Sequence, residues 1–418
     1  MPVVLQMLLI GLAIIALLGV VLEDIIHVNK AKVTLFLGTI SWLLLFAFHG
    51  DGPDGVKVME GFQENISEIA GLWLFLVAAM TFVAYLNKKG MIENLIYLFL
   101  PKRISERALL FLTAIFCFIF SSLADNITAT LVSVTLILSL NLSKKKIIRF
   151  ATLVVFSVNS GGVALITGDV TTLMIFLANK VSIVDLLLLS FPAFVAVMLL
   201  TFMLSRGMKN VVEVQIHRTD VRKVDIAIAI VFLSTIIGTI FGNALFNIPP
   251  VLTFLFGMSS MFLIARFFNE DIDADPILEY IRVIEFETLL FFLGILLLVG
   301  MLKEIEVLNS LVQMYEVLPP FMASYLMGIL SAAIDNVPLT AALLKAGIVM
   351  SNADWLALTY AVGVGGSLLI IGSAAGIVAM SKVDGLTFGS YTRYGIVLLI
   401  AYTAGYSIVY YVASVALT

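Results

Sequence analysis

The sequence SSLADNITAT at residues 121–130 lies between two apolar segments, and a related sequence, SAAIDNVPLT, occupies residues 331–340. When the two are aligned, their polar positions coincide: a serine, an Asp-Asn pair and a threonine. These positions are Ser121, Asp125, Asn126 and Thr130 in the first stretch, and Ser331, Asp335, Asn336 and Thr340 in the second. Matching polar residues at equal spacing in apolar surroundings indicate an internal repeat.

The composition of the whole chain points to the membrane. Of 418 residues, 61% are hydrophobic and 12% are charged, whereas soluble domains carry roughly 25% charged residues. Several apolar segments reach the ~20 residues that a membrane-spanning helix needs. These features exclude a soluble protein and predict contact with a lipid bilayer. A net charge of −4 indicates no nucleic-acid partner, and without a Walker motif we expect no use of ATP.

Charge bias indicates how the short apolar segments sit in the bilayer. They come in two pairs, 108–120 with 127–142 and 318–333 with 336–350, and each pair is either two crossings or one hairpin. Basic residues cluster at 87–107, 142–149 and 206–223, which places these loops in the cytoplasm. The pair at 108–142 is then a re-entrant hairpin that enters from the cytoplasm. The mainly acidic segment 49–68 is expected to be an external loop.

We therefore predict an all-α polytopic membrane protein with ten crossings and two opposed re-entrant hairpins, at about 108–142 and 318–350. Residues 1–205 and 224–418 form two repeats of five transmembrane helices and one hairpin each, joined by a cytoplasmic linker at 206–223. Because five is odd, the second repeat is inverted, and both termini are periplasmic. Glycines interrupt the apolar segments 150–178 and 355–381, which predicts two broken helices at the midplane.

The predicted site lies where the hairpin tips meet the broken helices. Carboxylates at this depth are costly unless they are paired or functional, although an Asp at a helix start can also be a simple cap. Oxygen ligands suit small hard cations, so Na⁺ or Li⁺ is expected at Asp125, Asn126, Asp335 and Asn336. The full set of predicted cation-binding and proton-handling residues is Asp125, Asn126, Asn159, Asp169, Asp335 and Asn336.

A second group of polar residues flanks this site. Ser160 and Thr172 lie near the first break, Ser367 and Ser373 near the second, and Glu68 opens an apolar segment. Lys345 is either a counter-ion to a carboxylate or a residue that extends to the outer membrane surface. The secondary candidates are Glu68, Ser121, Thr130, Ser160, Thr172, Ser331, Thr340, Ser367, Ser373 and Lys345.

At residues 121–130, 159–172, 331–340 and 363–376 the sequence resembles the NhaD family of Na⁺/H⁺ antiporters, within the ion-transporter superfamily. The resemblance implies a secondary transporter, not an enzyme, that exchanges cytoplasmic Na⁺ or Li⁺ for external H⁺ by alternating access, without a cofactor. It further implies a bacterial inner-membrane protein, a homodimer, an elevator-type motion and a role in pH homeostasis. Two alternatives remain open: a Na⁺-coupled symporter of a dicarboxylate or oxyanion, and, more remotely, an intramembrane aspartyl protease.

Overall fold

The computed structural model describes residues 3–21, 23, 28–49, 53–92, 94–95, 100–140, 142–214, 220–267, 281–282 and 284–416. Of the linker expected at 206–223, residues 215–219 lie outside this part. The described residues form eighteen helices and one two-stranded antiparallel sheet. The chain is thus an all-α polytopic membrane protein in its coarse architecture, as the sequence predicts.

The elements run in the following order, numbered along the chain: α1 (Val3–Val21), α2 (Lys30–His49), α3 (Pro53–Lys88), β1 (Arg103–Ser105), α4 (Glu106–Leu123), α5 (Asn126–Ser139), α6 (Lys144–Gly162), α7 (Val170–Leu177), α8 (Ile183–Leu204), β2 (Val211–Glu213), α9 (Lys223–Phe246), α10 (Pro250–Phe267), α11 (Phe286–Glu304), α12 (Asn309–Val317), α13 (Pro320–Ser331), α14 (Asn336–Lys345), α15 (Asn352–Gly365), α16 (Ala374–Lys382), α17 (Phe388–Thr392) and α18 (Gly395–Ala416).

Within the described ranges, nine helices are long and apolar enough to cross a membrane, namely α1, α2, α3, α4, α8, α9, α10, α11 and α18. The expectation of an external loop at 49–68 was wrong, because α3 is one continuous helix of 36 residues that begins at Pro53. Acidic residues suggested a loop, but Glu60 and Glu64 lie on a helix that packs against α10 and α11; Asp51 lies outside the described residues.

The helices pack into two groups. The first group contains α1–α3 and α9–α11, in which α2 packs on α11 and α3 on α10. The second group contains α4–α8 and α13–α18, in which α4 packs on α6 and α13 on α15. Two indole N–H groups tie the first group together: Trp42 donates to the Leu297 carbonyl and Trp73 to the Leu289 carbonyl, both at 2.8 Å. The central cavity described below lies between the groups.

The three basic loops identified from the sequence meet at one end of the molecule. Strand β1 of the first loop pairs with β2 of the third, and Arg149 of the second donates to the backbone carbonyl of Arg206 at 3.0 Å. Lys146, near the start of α6, pairs with Glu106 at the start of α4 at 2.5 Å. Helices α4 and α5 therefore leave this end and return to it.

The two hairpin tips contact the two breaks in the same way. Ser121 donates to the Val158 carbonyl at 2.8 Å, and Ser331 donates to the Val362 carbonyl at 2.7 Å. Helix α6 ends at Gly162 and α7 resumes at Val170, while α15 ends at Gly365 and α16 resumes at Ala374. The breaks lie within the predicted ranges 150–178 and 355–381.

Close backbone approach explains one glycine in each break. A Cβ on Gly168 would lie 2.5 Å from the Ser121 carbonyl oxygen, and one on Gly372 would lie 2.6 Å from the Ala332 carbonyl oxygen. Both distances are far below van der Waals contact, and both obstacles are backbone atoms, which cannot rotate away. Each hairpin tip can therefore pack against its break only because the break carries a glycine, which has no side chain, at this position.

We expect Gly168→Ala to destabilise the folded protein by about 1–3 kcal/mol, the usual cost of overpacking a filled interior. The measurement is the midpoint of thermal unfolding of the detergent-purified protein. Gly238→Ala, in α9, is the matched control, because a Cβ there meets nothing within 4 Å. Equal midpoints for the two variants would contradict the proposed close approach.

Candidate functional site

Four helix N-termini meet around a cavity of about 50 Å³. They belong to the two hairpin return helices, α5 and α14, and to the resumed halves of the two broken helices, α7 and α16. The cavity is lined by Lys30, Leu76, Met80, Asp125, Asn126, Ile127, Asp169, Val170, Thr288, Phe291, Phe292, Asp335, Asn336, Val337 and Ala374. Five of the six residues predicted to bind the cation or handle protons line this cavity: Asp125, Asn126, Asp169, Asp335 and Asn336.

Asp169 lies at the centre of a contact between the two halves of the chain. Its Oδ2 accepts a hydrogen bond from Asn336 Nδ2 at 3.0 Å, and its Oδ1 accepts from the Thr171 backbone N–H at 3.4 Å. The Asp169 carboxylate also interacts electrostatically with the carboxylate of Asp335. Both side chains are buried, with relative exposures of 6% and 7%. Two buried carboxylates and the side-chain amide of Asn336 thus lie together at this cavity.

Asp125 and Asp335 occupy equivalent tips but have different partners. Both oxygens of Asp125 accept hydrogen bonds at 2.8 Å from Thr128, one from its backbone N–H and one from its hydroxyl. The equivalent position in the second tip is Pro338, which has neither donor. Asp335 instead caps α14 through Oδ1, which accepts from the Val337 N–H at 3.1 Å. Its Oδ2 lies 3.9 Å from the ammonium of Lys30, another residue of the cavity lining.

Lys30 is a cavity residue that the sequence analysis missed. Its ammonium lies 3.9 Å from Asp335 Oδ2 and 4.8 Å from the centre of the Phe291 ring. In the sequence, Lys30 follows a charged stretch and opens an apolar segment, where a lysine is ordinarily explained by the membrane surface. Its position on α2, which packs beside α11, is what brings it to the second hairpin tip.

Asn159 and Ser373 meet directly across the two breaks. Asn159 Nδ2 donates to Ser373 Oγ at 2.9 Å, while Asn159 Oδ1 and the hydroxyl of neighbouring Ser160 are buried without a hydrogen-bond partner among the described residues. Unpaired buried oxygens are costly, and a cation would satisfy them. These oxygens lie at the end of α6, just before the break that leads to Asp169, but neither Asn159 nor Ser160 lines the central cavity.

Most secondary candidates bind backbone carbonyls and hold the tips and breaks in shape. Thr130 donates to the Asn126 carbonyl and Thr340 to the Asn336 carbonyl, each at 2.8 Å. Thr172 donates to the Gly162 carbonyl at 3.4 Å and Ser367 to the Val364 carbonyl at 2.5 Å. Ser121 and Ser331 do the same between tip and break, as described above. None of these six residues lines the central cavity.

Glu68 and Lys345 form an ion pair with each other, away from the central cavity. They line a separate cavity of about 300 Å³ between α3, α7, α11 and α14. Lys345 is thus paired with the carboxylate of Glu68 and not with one of the cavity aspartates. The pair connects α3 of the first group to α14 of the second.

The family model CitMHS, described as a citrate transporter, matches residues 3–365. The chain belongs to this transporter family. Membership makes it a secondary transporter and not an enzyme, which leaves the aspartyl protease alternative without support.

Individual curated relatives show which transporters the chain is similar to. A protein of Alkalimonas amylolytica named Na⁺/H⁺ antiporter NhaD is 30% identical over 96% of this chain and 89% of its own length. A protein of the same name from Halomonas elongata is 28% identical over 92% of this chain and 84% of its own. Sodium/proton antiporter 1 of Arabidopsis thaliana is 26% identical over 88% of this chain and 66% of its own. The resemblance to NhaD-type proteins is confirmed.

Two substitutions of Asp125 distinguish its role as a helix cap from its role as a negative charge. Asp125→Ala removes the acceptor at the start of α5 and should cost about 1 kcal/mol, the typical value for a lost helix cap. Asp125→Asn keeps an acceptor oxygen and should unfold at nearly the wild-type temperature. Thermal unfolding in detergent measures both variants. If Asp125→Asn were as unstable as Asp125→Ala, the charge and not the cap would hold the tip.

Proposed function

We propose that the protein is an antiporter that exchanges cytoplasmic Na⁺ or Li⁺ for external H⁺. One observation carries the proposal: three carboxylates, Asp125, Asp169 and Asp335, surround a cavity of about 50 Å³ between two groups of helices. A space of this size holds a few water-sized particles, which suits a small, partly dehydrated cation. The curated relatives named as sodium/proton antiporters support the same assignment.

In this mechanism Asp169, Asp335 and Asn336 hold the cation, and Asp125 and Asn126 line the same cavity. Asn159 Oδ1, which is buried without a hydrogen-bond partner among the described residues, is a further neutral oxygen for the cation. A buried carboxylate without a partner is costly in a membrane interior, so each one binds either a cation or a proton. Competition of Na⁺ and H⁺ for the same oxygens converts a proton gradient into sodium extrusion without any cofactor.

We propose that transport follows from movement of the second helix group against the first, as in an elevator. The cavity lies at the boundary between the groups, and every carboxylate in it belongs to the second. Repeated tip-to-break contacts, such as Ser121 with Val158 and Ser331 with Val362, support the two inverted repeats with re-entrant hairpins. The gathering of basic loops supports a cytoplasmic face at that end, with both termini periplasmic in a bacterial inner membrane. A homodimer is an expectation from the resemblance alone.

The description of the family model as a citrate transporter favours one second candidate, a Na⁺-coupled carboxylate symporter. Two features of the cavity oppose it. Its volume, about 50 Å³, is small for a six-carbon tricarboxylate, and three carboxylates against the single ammonium of Lys30 would repel an anion.

We expect Asp169→Asn and Asp335→Asn each to reduce Na⁺-dependent proton movement below about a tenth of wild type, because cation affinity depends on ligand charge. The measurement is dequenching of a pH-sensitive dye in everted vesicles after addition of NaCl, LiCl, KCl or citrate in turn. Wild-type vesicles should respond to NaCl and LiCl.

The control for this experiment is Asp384→Asn, which removes an exposed aspartate outside the cavity and should leave the response intact. Wild-type rates in either folded cavity variant would contradict the site. A wild-type protein that ignores all three cations but takes up labelled citrate with Na⁺ would replace the antiporter by the symporter.

The two asparagines at the hairpin tips, Asn126 and Asn336, should contribute unequally to Na⁺ binding. Asn336→Ala removes the hydrogen bond to Asp169 together with an oxygen ligand, and we expect its KM for Na⁺ to rise about tenfold. Asn126→Ala removes a matched side chain that makes no such bond to a carboxylate, and we expect a smaller rise. Equal values of KM in the two variants would indicate equivalent half-sites.

A further inference from the structure

The charges around the cavity are divided between the two helix groups. Asp125, Asp169 and Asp335 belong to the second group, whereas Lys30 lies on α2 of the first. Among the described residues that line the cavity, Lys30 alone is basic. The ion pair between Lys30 and Asp335 therefore spans the boundary across which the proposed movement takes place.

We propose that the Lys30 ammonium competes with Na⁺ for Asp335 and so holds the empty carrier in place. This inference rests on the proposed function and adds a residue that couples ion binding to movement. An ammonium and a sodium ion carry the same charge and seek the same oxygen, so one excludes the other. While Asp335 is charged and carries no ion, Lys30 links the two groups. When Na⁺ binds Asp335, or a proton neutralises it, the link is lost and the second group is free to move.

The geometry of the pair suits reversible competition. At 3.9 Å between Nζ and Oδ2, the contact is electrostatic and longer than a charge-assisted hydrogen bond, so no close bond must be broken. Asp335 Oδ1 remains engaged with the start of α14 through the Val337 N–H. Oδ2 can therefore exchange partners without unfolding the cap. The Phe291 ring, 4.8 Å from the ammonium, provides a cation–π contact that stabilises Lys30 after displacement.

Other charged groups near Lys30 do not replace Asp335 as the partner of its ammonium. Glu23 accepts a hydrogen bond from the Lys30 backbone N–H at 3.0 Å, and Glu285, the cap position of α11, interacts electrostatically with both Lys30 and Asp125. Glu287 is engaged by the Asn29 side chain at 2.8 Å. Asp125 and Asp169 line the same cavity, but Asp335 is the carboxylate that pairs with the Lys30 ammonium.

Binding of ²²Na⁺ to purified protein in detergent tests the competition directly. Lys30→Gln removes the competing charge, and we expect its Kd for Na⁺ to fall about tenfold below wild type. Lys30→Arg keeps a permanent charge and should bind as weakly as wild type or more weakly. Lys32→Gln, on the same helix but exposed, should match wild type. If Lys30→Gln does not fold, Lys30→Met, which keeps the apolar stem against Phe291, carries the same expectation.

Proteoliposomes test the restraint on the empty carrier. A carrier that can reorient while empty lets Na⁺ move down its own gradient without counter-movement of H⁺. Lys30→Gln should therefore release ²²Na⁺ into sodium-free buffer with less proton movement per sodium ion than wild type, while Lys32→Gln keeps the wild-type ratio.

The outcomes separate this inference from the proposed function. If wild type binds Na⁺ but folded Lys30→Gln binds it with equal or lower affinity and an unchanged proton ratio, Lys30 only joins the helices and the competition is refuted. If wild type binds no Na⁺, the antiporter proposal fails, and the inference fails with it. Tighter binding together with uncoupled release supports the inference.

Discussion

Four helices begin inside the protein, and the backbone N–H groups of their first turns need acceptors that lipid cannot supply. Asp125, Asp169, Asp335 and Ser373 provide these acceptors at α5, α7, α14 and α16. Three of the four caps are carboxylates, which the positive ends of the helix dipoles favour. The need to cap these four helix starts thus concentrates negative charge in one cavity. The chemistry of the site follows from these caps.

In the proposed mechanism, cation binding and movement both take place at the boundary between the two helix groups. The second group contributes the carboxylates, and the first contributes Lys30 together with apolar and aromatic side chains such as Phe291. A second ion pair, between Glu68 and Lys345, crosses the same boundary with the charges reversed. The Glu68 side chain is half exposed, and ion pairs that solvent reaches contribute little to stability, so packing alone does not explain why both pairs lie at this boundary.

The two halves carry the same framework but different ligands. Serine hydroxyls bind tip to break in both halves, and a glycine permits the close approach in each. The differences fall at and around the cavity. In the alignment of the two halves, Pro338 is equivalent to Thr128, Ser373 to Asp169 and Gly363 to Asn159. Because Pro338 cannot donate, Asp335 keeps an oxygen directed to Lys30, whereas both oxygens of Asp125 are engaged by Thr128. The framework tolerates this divergence because the serine-to-carbonyl hydrogen bonds and the close approach at the glycines, not the residues that differ, maintain it.

The sequence by itself determined the membrane class and the positions of both helix breaks, and it singled out five polar residues that line the cavity. It did so because hydrocarbon makes every polar residue and every helix break conspicuous against an apolar background. It misjudged residues 53–68, where acidic side chains on a helix resembled a loop. The re-entrant hairpins and the inverted repeats stay predictions. Only the tertiary structure decided that Asn336 donates to Asp169, that Lys345 pairs with Glu68 and that Lys30 faces Asp335. These contacts join residues far apart in the chain, and their choice depends on how two helix groups pack, which residue spacing along the chain does not specify.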